Sequence, residues 1–87
     1  MYSDHEIQQL KLCSRLQQQN RWGEIAIICQ ELHATHPQNS DALQIWGIAL
    51  AQKGQTEAGV ARLKQALAIA PTAAHIHNNL ANLLSSL

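Results

Sequence analysis

The stretch Asp41–Pro71, DALQIWGIALAQKGQTEAGVARLKQALAIAP, decides the fold. Leu43, Trp46 and Leu50 recur at three- and four-residue steps, the spacing that lines one face of a helix. Gly54 interrupts the pattern, as a residue that readily turns left-handed after a helix end. A second helical run follows from about Thr56 to Ala70 and stops at Pro71. Asn39 and Ser40 stand before the first run as good caps. The segment therefore predicts two helices joined by a connection short enough to force an antiparallel return.

The same punctuation extends outward. Ser3-x-x-Glu6 reads as a capping box opening a first helix, which carries Ile7, Leu10, Lys11, Cys13 and Leu16 at helical spacing. Asn20 is expected to end that helix and cap the next, which begins near Trp22 and stops at His36-Pro37. Beyond Pro71, Thr72 is expected to cap a fifth helix bearing Ile76, Leu80, Leu83, Leu84 and Leu87. No stretch alternates with period two for long enough to argue a strand. Ala, Leu, Gln and Ile make up half of the 87 residues, which favours helix over strand. The expected fold class is all-α with five antiparallel helices.

Composition narrows the function. Six Lys and Arg balance six Asp and Glu, for a formal net charge of zero, and no basic cluster exists for a phosphate backbone. No nucleic acid partner is expected. Apolar runs such as Ile25 to Cys29 are far short of the ~20 residues that cross a membrane. No membrane partner is expected, and the start Met1-Tyr2-Ser3-Asp4-His5-Glu6 shows no leader, so the expected location is cytoplasmic.

The two prolines lie 34 residues apart, and that spacing recurs. Leu16, Leu50 and Leu84 form one series; Leu12, Trp46 and Leu80 form another. Cys13, Gly47 and Ala81 form a series of small residues, and the break at Asn20 matches Gly54. A fixed period with two helices per unit is the signature of a helical solenoid. Small residues let the two helices of a hairpin approach closely, and large apolar ones fill the gap to the next.

With Leu43-x-x-Trp46-Gly47-x-x-Leu50, Gly59-x-x-x-Leu63, Ala66 and Pro71 in one unit, the sequence resembles the tetratricopeptide-repeat family. That family usually has Trp, Leu, Gly and Tyr in the first four places and Ala where Gly59 stands. A looser first unit carries Gln9, Leu12, Cys13, Leu16, Ile25, Cys29, Leu32 and Pro37; a third begins with His77, Leu80, Ala81 and Leu84. The resemblance implies a single domain over 1–87, a right-handed helical-hairpin solenoid of about two and a half repeats. Its units are expected at about 4–37 and 38–71, with a partial repeat or capping helix at 72–87.

The resemblance also implies that the first helix of each hairpin lines a concave groove for a peptide or partner helix. The matching positions are Ile7, Leu10, Lys11, Ser14 and Gln18, then Asp41, Gln44, Ile45, Ile48 and Gln52, then His75, Asn78, Asn79 and Asn82. The peptide-groove set singled out is Leu10, Lys11, Ser14, Gln44, Ile48, Gln52, Asn78, Asn79 and Asn82. Lys11 is the lone cation among them, too few for the family's carboxylate clamp. The run His75–Asn82 resembles the asparagine-lined repeats of the O-linked N-acetylglucosamine transferase superhelix. Its amides either hold a peptide backbone, since each donates and accepts, or form a polar exposed face.

Other candidates point to no chemistry. Cys13 and Cys29 fall at core positions and are expected as buried, inert thiols. His33 and His36 have a spacing that metal sites use, but the same place suits an imidazolium near a helix C-terminus, and no further ligand completes a site. His75 and His77 point to different sides of their helix. Asp4, Glu6, Glu24, Glu31, Asp41 and Glu57 all lie where a solvated face or first turn would put them. No phosphate loop, Gly-x-Ser-x-Gly or His-Glu-x-x-His occurs. No metal, no cofactor and no catalysis are expected.

The leading expectation is a non-catalytic protein–protein interaction module with a protein or peptide as partner. One alternative is a self-assembling module, a homodimer through Leu80, Leu83, Leu84 and Leu87 of the last helix. Another is the repeat region of a larger glycosyl- or sulfotransferase. The half repeat is a short cap, the edge of a longer protein, or a face that another copy covers, the last two together being preferred.

Overall fold

The computed structural model describes residues 1–87 as five helices and no strand: α1 (Asp4–Gln18), α2 (Trp22–Thr35), α3 (Ser40–Gln52), α4 (Thr56–Ile69) and α5 (Ala74–Ser85). Connections of three or four residues turn each helix back on its predecessor, which produces two hairpins, α1–α2 and α3–α4, followed by α5. α3 packs on α2 and α5 on α4, so the hairpins stack in chain order as a helical-hairpin solenoid.

Local chemistry explains most boundaries. Ser3 accepts from the Glu6 N–H at 3.2 Å while Glu6 Oε1 accepts from the Ser3 N–H at 2.8 Å, the expected capping box. Asn39 caps α3 by accepting from the Ala42 N–H at 2.9 Å. Gly54 takes φ +86° after α3, and Asn20 takes φ +56° after α1, which are the two left-handed positions of the chain. Two expected caps differ. Arg21, not Asn20, occupies the α2 cap, because Asn20 is used to reverse the chain; Arg21 pairs with Glu24 across the first turn. Ala73, not Thr72, precedes α5, which starts without a side-chain cap.

The core runs through both hairpins and into α5: Cys13, Leu16, Ile25, Cys29, Leu43, Trp46, Ala49, Leu63, Ala66 and Ile76 belong to one buried cluster. α3 and α4 cross closely at Gly47 and Gly59. A Cβ built on Gly59 would lie 2.5 Å from the Gly47 carbonyl oxygen, and one on Gly47 would lie 2.8 Å from the Gly59 carbonyl and 3.0 Å from Leu63 Cγ. This is where the absence of a side chain matters: the α3 and α4 backbones touch, with Leu63 resting over Gly47.

Glu6 corrects its sequence reading. Although it stands in a first turn, it is buried rather than solvated. Its Oε2 accepts from Asn39 Nδ2 at 2.8 Å, and His36 Nε2 lies 3.7 Å from its Oε1. One carboxylate therefore ties the start of α1 to the cap of α3. The Ser3 backbone N–H holds the Glu6 carboxyl below its usual range; burial opposes this, and Asn39, the Ser3 side chain and His36 add to the lowering. A depressed folded value means the network contributes fully at neutral pH. That contribution is lost as pH falls below the ordinary value of 4.5 and through the folded one. Asn39→Ala, which removes the α3 cap and Glu6's partner, is expected to cost about 1–3 kcal/mol in urea unfolding at pH 7. The difference from wild type should narrow in acid; a constant difference down to pH 3 would show that the carboxylate takes no part.

Candidate functional site

The concave furrow arises from helical phase. Leu10 and Ser14 are four apart on α1, as Gln44 and Ile48 are on α3, so each pair shares a face. α1 and α3 lie side by side along the stack, and the 34-residue register sets Leu10 beside Gln44 and Ser14 beside Ile48. Between them lies a cavity of about 500 Å³. Its apolar lining is Ile7, Leu10, Ile45 and Ile48, and its polar lining is Lys11, Ser14, Gln17, Asp41 and Gln44. Ile7, Lys11 and Ser14 are exposed; Leu10, Gln44, Ile45 and Ile48 are half-buried. Four branched aliphatic side chains in an open furrow, with amides, a hydroxyl and one charge of each sign, can take apolar side chains and satisfy a few polar groups.

Of the sequence-derived groove residues, Leu10, Lys11, Ser14, Gln44 and Ile48 come together here. Gln52 is exposed one turn farther along α3, outside the cavity, as is Gln18 on α1. Gln17 lines it instead; the step Leu10, Ser14, Gln17 (i, i+4, i+7) is the signal that marks it. Asn78 and Asn82 are exposed on α5 and Asn79 is half-buried, all beyond the furrow. At one end of the furrow α3 meets α5, where His75 Nε2 lies 3.9 Å from Asp41 Oδ1.

Of the self-association residues, Leu80 and Leu83 are half-buried against the core, whereas Leu84 and Leu87 are exposed, at 47% and 64%. Ile76, Leu80 and Leu83 share the α5 face turned toward the hairpin before it, Leu84 lies off that face, and Leu87, expected on the last helix, lies beyond its end at Ser85. Trp46 carries two contacts that spacing does not reveal. His33 of α2 lies 5.8 Å from its ring, and the Arg62 guanidinium of α4 sits 3.9 Å above it.

Cys13 and Cys29 are both fully buried, on facing helices of the first hairpin. Hydrogen bonding to Cys13, together with burial, pushes the Cys29 thiol well up. The same bond holds the Cys13 thiol below its usual range, while burial opposes this and keeps both sulfurs out of contact with solvent. His33 and His36 are not joined by a third ligand, and no three His, Cys, Asp or Glu side chains converge to hold a metal ion. No helix is long and apolar enough to cross a membrane.

Comparison with known families agrees with this architecture. The family model described as TPR repeat matches residues 47–87, from the close crossing on α3 through α4 and α5. Among curated proteins, no relative matches the chain significantly.

Proposed function

We propose that the chain is a binding module using the α1–α3 furrow: residues 47–87 match the TPR repeat model, and such repeats generally mediate protein–protein interactions. The observation that carries this reading is the furrow itself, about 500 Å³, open, and lined by Ile7, Leu10, Ile45 and Ile48 beside Gln17 and Gln44. The partner that fits is a peptide or helix with two or three aliphatic side chains on one face. Lys11 and Asp41 lie one helical turn apart in register and set its polarity, an acidic group toward Lys11 and a basic one toward Asp41. Asn78, Asn79 and Asn82 extend the same concave side along α5, where their amides meet a peptide backbone that runs past the furrow.

A peptide recovered from a displayed random library on the immobilised chain serves as the probe. Ile48→Glu should lower its affinity at least about tenfold, or about 1.4 kcal/mol. Ala68→Glu, exposed on α4, should leave it unchanged, with both variants retaining wild-type helicity. Equal loss in both variants, or in neither, would remove the furrow from the reading.

A further inference from the structure

One rung of the 34-residue register crosses the concave side at Ile7, Asp41 and His75. Ile7 and Asp41 line the furrow; His75, in the first turn of α5, brings its Nε2 to 3.9 Å from Asp41 Oδ1. The His75 and Asp41 side chains are 59% and 44% exposed, open to solvent and to a bound chain alike. Charged groups on the helices around α3 are otherwise engaged. Glu6 is held by Asn39 with His36 beside it, and His5 faces His36. His33 and Arg62 lie against Trp46, and Arg21 pairs with Glu24. His77 Nε2 is 2.8 Å from the Pro71 carbonyl oxygen. Lys11 lines the furrow one helical turn along in register, and no second ion pair reaches Asp41.

Imidazole is the side chain that changes charge between about pH 5 and 8, while carboxylates and ammonium groups ordinarily hold theirs. Neutral His75 leaves Asp41 as a net negative group for a basic side chain of the partner. Protonated His75 cancels that charge, because α5 brings no carboxylate of its own to restore it. We infer that His75 gates the furrow by pH: a partner with Lys or Arg seated at Asp41 is held at slightly alkaline pH and released in mild acid. The gate rests on the furrow being the binding surface, and it adds the condition under which the furrow accepts a basic group. Linkage fixes the sign. The partner's cation and the His75 proton compete for one carboxylate, so each lowers the affinity for the other by the same factor. With both side chains open to solvent, that factor is about twofold to fivefold.

The probe is a library-selected peptide that contains Lys or Arg and no His, titrated into the full chain at about pH 8 and about pH 5.5. The lower value stays above the range in which the Glu6 network is lost, so the fold is the same at both. Wild type should bind about twofold to fivefold more weakly at the lower pH. His75→Gln, at an exposed position, should bind equally at both, and His75→Lys should bind weakly at both because its charge is permanent. Asp41→Asn should likewise lose the pH dependence. A wild-type affinity that does not change with pH, or that rises in acid, would overturn the gate. A pH dependence that persists in His75→Gln would overturn it too, by assigning the titration to another group. Ile48→Glu separates the two readings: it should weaken binding at both pH values and keep their ratio. No effect of Ile48→Glu would remove the furrow itself, whereas a loss there with a wild type indifferent to pH would remove only the gate.

Discussion

Gly59→Leu should leave the second hairpin unable to fold, with most of the cooperative helical signal lost at 25 °C. The atom a side chain would meet there is the backbone oxygen of Gly47, 2.5 Å from the first carbon, and backbone cannot rotate out of the way. α3 and α4 would have to separate along their length, withdrawing Leu63 and Ala66 from the core. Overpacking in cores costs about 1–3 kcal/mol when neighbours can adjust, and more when they cannot. The whole stability of a domain this size is about 4–13 kcal/mol at the usual ~0.05–0.15 per residue. Gly59→Ala is the graded control. Its steric cost is partly offset by the ~1 kcal/mol that alanine gains over glycine within a helix. Thermal melts by circular dichroism should rank wild type above Ala and Ala well above Leu. A Leu variant melting with wild type would contradict the close crossing.

The second large effect is expected at Trp46. Its ring lies between His33 of the first hairpin and Arg62 of α4, so it bridges the two units as well as filling the core. Trp46→Ala removes the largest side chain of the buried cluster and should cost about 3–5 kcal/mol. Trp46→Phe keeps a ring in place and should cost less than half as much. In a solenoid, stability is close to a sum of unit and interface contributions, so weakening the interface should also lower cooperativity. The Ala variant is expected to unfold over a broader urea range with a smaller slope. An unchanged slope with a lowered midpoint would make Trp46 a core residue only, with no special part in coupling the units.

The helices were legible because local signals mark their ends. Ser3 and Glu6, Pro37, Gly54 and Pro71 act within a few residues, and the structure places α-helix boundaries beside each of them. The furrow was legible to the extent that helical phase fixes it, which holds for Leu10, Ser14, Gln44 and Ile48. Where a contact joins distant segments, no spacing announces it. Asn39 and Glu6 are 33 residues apart, and the burial of that carboxylate follows from stacking of one unit on the next. The perch of Arg62 on Trp46 is of the same kind. Which leucines of the last segment stay uncovered was equally hidden: Leu80 and Leu83 lean on the hairpin, while Leu84 and, beyond the helix end, Leu87 do not. At the two caps that differ, the better capping residue lies one position too early to serve, because Asn20 and Thr72 are still inside the turn.

The partner-binding surface we propose is the concave side between α1 and α3. Its most direct test is a titration of the isotope-labelled chain with the library-selected peptide, followed by amide chemical-shift mapping. The claim predicts the largest shifts at Leu10, Ser14, Gln44 and Ile48, with smaller ones along α5 at Asn79 and Asn82. Shifts centred on the outward faces of α2 and α4, at Ile27, Gln30 or Lys64, would contradict it.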